Sequence, residues 1–161
     1  MENSYVITGG KKLKGCVTLS GAKNIALKVL IGALLFDSPV TLKNIPQIND
    51  VEELIHLLQL LGVEVKTVKN TVTIHPQSLR AKKVDLLHAS KIRVSFLLFA
   101  PLLYKYHSAE IPNPGGCRLG ARSIDRIIEG LQKLGIEISY NSDTGYYESE
   151  MQDKPRGEYT F

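Results

Sequence analysis

Cysteine is scarce. The only two in the 161 residues, Cys16 and Cys117, have no CxxC spacing and no accompanying histidine cluster, so neither a zinc site nor a disulfide framework is indicated. A reducing cytoplasm is the expected compartment. No secretory leader is expected either, because Met1-Glu2-Asn3-Ser4 offers no basic stretch followed by an apolar one. The two longest apolar runs, residues 25–36 and 94–103, are broken by Lys28 and Pro101. Both fall short of the ~20 residues a membrane span needs, so a soluble chain with no membrane partner is expected. The excess of positive charge is small, 20 basic against 16 acidic residues for a net +4, and it is not gathered into a run. With no aromatic RNA-binding motif either, nucleic acid is excluded as a partner, and small anionic ligands fit better. No paired carboxylates and no Ser/His/Asp arrangement can be drawn from spacing. His56, His75, His88 and His107 are scattered and read as structural or solvated.

Hydrophobic residues make up 43% of the chain, enough for one domain or for two small repeats that share a core. Residues 5–7 and 17–19 read as short strands about a Gly9-Gly10-Lys11-Lys12 turn. Ser20-Gly21 is expected to cap a helix over residues 22–35 that is apolar on nearly every side and therefore buried. A strand at 40–43 follows, then a helix at 51–61 capped by Asp50. Its stripe is Val51, Leu54, Ile55, Leu58 and Leu61, and Gly62 ends it. A hairpin pairs 64–68 with 71–75, and residues 76–89 read as an irregular connection.

The pattern then recurs. Leu61-Gly62-Val63-Glu64-Val65 returns as Leu134-Gly135-Ile136-Glu137-Ile138, 73 positions on, while Val40-Thr41-Leu42 matches Ala109-Glu110-Ile111 at 69. The second copy has an apolar helix over 92–104, a helix over 123–134 striped by Ile124, Ile127, Ile128, Leu131 and Leu134, and a hairpin of 137–140 with 146–149. Tyr146 and Tyr147 read as hairpin packing. The four extra residues of the second copy fall in the loop that holds Cys117.

That loop, Asn113-Pro114-Gly115-Gly116-Cys117-Arg118-Leu119-Gly120-Ala121-Arg122, joins three glycines, one thiol and two guanidiniums. Glycines permit close approach of a ligand, and the arginines favour an anion and the thiolate. At the 69-residue offset Lys23 matches Ile92 and Asn24 matches Arg93, so both copies place a polar or basic group in the first turn of a greasy helix. Free N–H groups and the positive dipole end there suit a phosphate or carboxylate.

Three segments carry a resemblance: Ser20-Gly21-Ala22-Lys23-Asn24, Ile92-Arg93-Val94-Ser95, and Pro114-Gly115-Gly116-Cys117-Arg118-Leu119-Gly120-Ala121-Arg122. Through them the chain resembles the UDP-N-acetylglucosamine 1-carboxyvinyltransferases, of the enolpyruvyl transferase family, over essentially its whole length. The resemblance implies an inside-out α/β barrel of βαβαββ repeats in two domains with the active site between them. Residues 1–21 would then be strands that pair with the second domain. Residues 22–161 would be the first domain, with repeats at 22–76 and 91–150 and the start of a third. It implies transfer of the enolpyruvyl group of phosphoenolpyruvate to the 3′-hydroxyl of UDP-N-acetylglucosamine, without a metal or other cofactor. That step belongs to peptidoglycan synthesis in the cytoplasm, and so to cell shape and division.

Carried over residue by residue, the resemblance makes Cys117 the proton donor to the methylene carbon, the site of a covalent adduct and the target of fosfomycin. Lys23 and Asn24 would contact phosphoenolpyruvate and the sugar, Arg93 the uridine diphosphate substrate, and Arg122 the phosphate. The sugar-nucleotide run that Arg122 opens continues through Ser123, Ile124, Asp125 and Arg126. It departs from the family's usual Pro-Val-Asp-Leu-His by losing the proline and the histidine. Family members are far longer, so the chain is expected to be an N-terminal portion, inactive without the missing C-terminal part. The alternative class is a non-catalytic remnant or a module that binds anionic ligands. The related 5-enolpyruvylshikimate-3-phosphate synthases match less well because of Cys117.

Overall fold

Alternating hydrophobicity and turn glycines divide the chain into two units, and the computed structural model, which describes residues 4–115 and 123–160, builds them alike. The first unit runs α1 (Lys23–Gly32), a 3₁₀ turn (Ala33–Leu35), β1 (Val40–Leu42), α2 (Asn49–Leu60), β2 (Glu64–Val68) and β3 (Thr71–His75). A connection containing a 3₁₀ turn (Pro76–Ser78) and α3 (Leu86–Ala89) leads to the second unit. That unit runs a 3₁₀-helix (Arg93–Leu98) continued by α4 (Phe99–Tyr106), then β4 (Ser108–Pro112), α5 (Asp125–Lys133), β5 (Glu137–Asn141) and β6 (Tyr146–Glu150).

Each unit forms a three-stranded antiparallel sheet with its third strand in the middle, β1-β3-β2 and β4-β6-β5. The registers correspond: Val40 pairs with Ile74, and Ala109, its match at the 69-residue offset, pairs with Ser149. Both outer helices stop at a glycine in the left-handed region, Gly62 with φ 87° and Gly135 with φ 89°. Their N–H groups donate to the carbonyls of Gln59 and Gln132, satisfying helix-end acceptors in the same way. After each hairpin the chain returns to that helix end, Arg80 N–H donating to the Leu61 carbonyl and Arg156 N–H to that of Leu134. The second hairpin turn is longer, and Asn141 Oδ1 organises it by accepting from the N–H groups of Asp143 and Thr144.

One core serves both units. Leu30, Leu34, Leu54, Leu57 and Leu58 from the first meet Leu98, Leu102 and Ile111 from the second, all fully buried. Each such side chain stabilises the fold by about 1.5–3 kcal/mol relative to exposure. Tyr146 is buried as hairpin packing, its hydroxyl donating to the Val84 carbonyl at 3.0 Å.

Several local expectations need correction. No strand forms at 5–7 or 17–19, where Tyr5, Val6, Ile7, Val17 and Leu19 are exposed. A strand exists only through a ladder, and no partner strand lies beside these residues among those described. Ser20 does not cap α1: the N-cap is Ala22, with no side-chain hydrogen bond. Nor is α1 buried all round, since Ile25 is 64% exposed. Asp50 lies inside α2, whose N-cap is Ile48. The connection over 76–89 is partly helical, because Asp85 Oδ1 accepts the His88 N–H and caps α3. The helix expected from residue 92 starts as 3₁₀. Pro101 has no N–H to give the carbonyl four residues back, so regular α geometry begins only at Phe99.

Candidate anion-binding cleft

Where the first helices of the two units begin, they border a cleft of about 770 Å³. Lys23, Asn24 and Lys28 of α1 lie on one side, Lys91 and Arg93 on the other, with Asp50 of α2 between. Four cationic side chains against one carboxylate make this a place for an anion. Asp50 Oδ2 takes the Lys23 ammonium at 2.8 Å, which explains why the aspartate is not spent as a cap. The start of the 3₁₀-helix that carries Arg93 is tied down by fully buried Ser95. Its hydroxyl hydrogen is shared between the carbonyls of Ile92, at 2.9 Å, and Ala89, at 3.1 Å.

Behind the cleft wall, Glu53 of α2 binds two donors through one oxygen. Lys91 Nζ lies 2.8 Å from Oε1, and His88 Nδ1 contacts the same atom. The His56 ring packs edge-on against His88 with centroids 4.4 Å apart. The hydrogen bond from Lys91, and then that from His88, holds the Glu53 carboxyl below its usual value.

Both described ends of the cysteine loop reach this cleft. A Cβ built on Gly115 would lie 1.5 Å from the carbonyl oxygen of Ser90, a cleft residue, so only glycine permits the approach. At the other end, the Ser123 carbonyl accepts from Arg93 Nη2 at 3.4 Å. The first unit makes the corresponding approach with the glycine on the opposite partner: a Cβ on Gly21 would lie 1.8 Å from the Asn44 carbonyl oxygen. Cys117, Arg118 and Arg122 lie outside the described residues.

Of the residues singled out in the sequence, Lys23, Asn24 and Arg93 come together in the cleft, and Ser123 joins them through its carbonyl. Ile124 does not join them. It is 4% exposed, and its side chain is taken up by packing as α5 begins. Asp125 and Arg126 are exposed in the first turn of α5 and do not line the cleft. Sequence reasoning missed Asp50, Glu53, Lys91 and Ser95. The only signal was the three-residue spacing of Asp50 and Glu53, which puts both carboxylates on one face of α2. Among the described residues no group of three or more His, Cys, Asp or Glu side chains could hold a metal ion, and no helix is long and apolar enough to cross a membrane.

The family model described as EPSP synthase (3-phosphoshikimate 1-carboxyvinyltransferase) matches residues 7–160. The chain belongs to the EPSP synthase family. It is 44% identical over 135 residues to UDP-N-acetylglucosamine 1-carboxyvinyltransferase 3 of Caldanaerobacter subterraneus subsp. tengcongensis, covering 84% of this chain and 32% of that one. To the UDP-N-acetylglucosamine 1-carboxyvinyltransferase of Idiomarina loihiensis it is 38% identical over 156 residues, 96% of this chain and 37% of the relative. Among solved structures, the enolpyruvyl transferase NikO from Streptomyces tendae superposes with a TM-score of 0.78 at 18% identity, over 91% of this chain and 32% of that one. EPSP synthase from Acinetobacter baumannii gives 0.67 at 19%, over 93% and 35%. The fold is thus the enolpyruvyl-transferase fold expected from the resemblance, over about a third of the length of these relatives.

Proposed function

We propose that this member of the EPSP synthase family carries part of the active site of a 1-carboxyvinyltransferase. The reaction moves the enolpyruvyl group of phosphoenolpyruvate to the 3′-hydroxyl of UDP-N-acetylglucosamine, a step of peptidoglycan synthesis in the cytoplasm. One observation carries the proposal: a cationic cleft at the start of both first helices, bordered by both ends of the loop that holds Cys117. The relatives' names supply the acceptor.

In this reading Cys117, two residues along the chain from Gly115, gives a proton to the methylene carbon of phosphoenolpyruvate. Positive charge develops at the neighbouring carbon, and the sugar hydroxyl adds there and gives up its proton. Elimination then removes a proton from the new methyl carbon as the C–O bond to phosphate breaks, releasing phosphate and restoring the double bond. Lys23 and Asn24 contact phosphoenolpyruvate and the sugar and Arg122 the phosphate, and fixed cations such as Lys23 and Arg122 need no reorganisation as charge builds. Arg93 faces the sugar nucleotide, with Ser123, Asp125 and Arg126 at the edge of its site. Ile124 acts there through its backbone, its side chain being buried. Residues 1–21 pair with a second domain, and that domain supplies the other wall of the site.

The test is fosfomycin labelling of the 161-residue chain with peptide mapping, beside a phosphate-release assay in which the remaining length of a relative is supplied in trans. The proposal expects the label on Cys117 and turnover only in the mixture. It also expects that Cys117→Asp keeps turnover and escapes fosfomycin, while Cys117→Ala loses most activity. An alanine variant near the wild-type rate in the mixture would contradict the role of the thiol. Anion binding with no labelling and no turnover would favour a non-catalytic binding module.

A further inference from the structure

Two lysines of the cleft are held in matching ways. Asp50 and Glu53 lie three residues apart in α2, on one face, and the first holds Lys23 while the second holds Lys91, each at 2.8 Å. Lys91 comes from a different element from Lys23, the segment that follows α3, and it stands two residues before Arg93. Its side chain is 46% exposed and lines the cleft although its ammonium is paired. An ammonium has three donors, and Glu53 takes one. His88 Nδ1, 3.3 Å away, spends its own N–H on Glu53 and accepts nothing, so the other donors remain for a ligand. Glu53 itself is drawn on by His88 as well, so its negative charge is divided between two partners.

From this geometry we propose that Lys91 is a further binding residue of the cleft, giving a charge-assisted hydrogen bond to a phosphoryl oxygen of the bound ligand. Glu53 and His88 are the positioning residues that hold its ammonium at the wall. The proposal rests on the cleft being the substrate site argued above. The phosphoryl group can belong to phosphoenolpyruvate or to the diphosphate of UDP-N-acetylglucosamine.

Calorimetric titration of the 161-residue chain with each ligand separately tests the proposal, with thermal melts to establish folding. Lys91→Gln is expected to weaken at least one of the two ligands by on the order of tenfold, as loss of a charge-assisted hydrogen bond does. Lys91→Arg should restore most of the loss, and the affected ligand identifies the phosphoryl group. Lys66→Gln is the control for net charge, because Lys66 is an exposed lysine of β2 paired with Glu64 and lies outside the cleft lining. If Lys91→Gln binds both ligands as the Lys66→Gln control does while Lys23→Gln loses binding, Lys91 is no ligand residue and the cleft reading stands. If the wild-type chain binds neither ligand, the cleft reading falls, and this inference with it.

Discussion

The two units share strand order and register, yet their outer helices are packed differently. On α2 and at its C-cap, Leu54, Leu57, Leu58 and Leu61 are at most 1% exposed. At the matching places on α5 stand Ile127, Gly130, Leu131 and Leu134, of which only Gly130 is buried, beneath the ring of Tyr159. The inner parts correspond closely and the outer ones do not. The second difference is the loop between the first strand and the outer helix, residues 43–48 in one unit and 113–124 in the other. A repeated scaffold therefore tolerates divergence where it is least enclosed, and the divergent loop of the second unit is the one that borders the cleft.

Core truncation breaks this comparison most strongly. Leu58→Ala should cost about 2–5 kcal/mol in denaturant unfolding, because it opens a cavity in a sealed interior. Leu131→Ala, at the matching position but half-buried, should cost less than half as much. Equal losses would mean that α5 is as enclosed as α2. A smaller effect, about 1–3 kcal/mol, is expected for Gly21→Ala and for Gly115→Ala, since in each a new Cβ meets a backbone carbonyl that must shift. Gly9→Ala, with nothing near it, serves as the neutral control. A harmless Gly115→Ala would separate the cysteine loop from Ser90.

The smallest effect concerns acid. Glu53 is held below its usual carboxyl value in the folded chain by Lys91 and then His88. Its contribution is therefore fully present above the ordinary carboxylate range and fades as pH falls through the lowered value. Glu53→Gln should lower the melting temperature slightly at neutral pH and converge on the wild type in acid. Arg126, the match of Glu53 in the second unit, is exposed on α5, and Arg126→Gln should show no such convergence.

Local signals made much of the fold legible. Alternation around Lys69-Asn70 gave the first hairpin with both strand bounds, and Gly62, left-handed in the structure, marked the end of α2. The 69- and 73-residue offsets exposed the repeat because matching units need matching buried positions. What failed was non-local. Residues 5–7 and 17–19 have strand-like composition, but composition cannot supply a partner strand. Asp50 looks like a cap because the lysine that claims it is 27 residues away. Ile124 stands both in the apolar stripe of its helix and in the sugar-nucleotide run, and its side chain follows the stripe into burial. Lys91 gave no sequence signal at all, since its significance lies in facing Lys23 across a cleft built by two units.

In the proposed function the divergent loop of the second unit carries a reactive thiol, Cys117, that serves an anion site, and the chain carries its own reference in Cys16, which is exposed. The decisive measurement is the iodoacetamide alkylation rate of each cysteine in the native chain, by peptide mapping, with and without phosphoenolpyruvate. Cys117 should react faster than Cys16, because neighbouring cations favour the thiolate, and phosphoenolpyruvate should slow Cys117 alone. Equal or preferential modification of Cys16, or a Cys117 rate indifferent to phosphoenolpyruvate, would contradict the account.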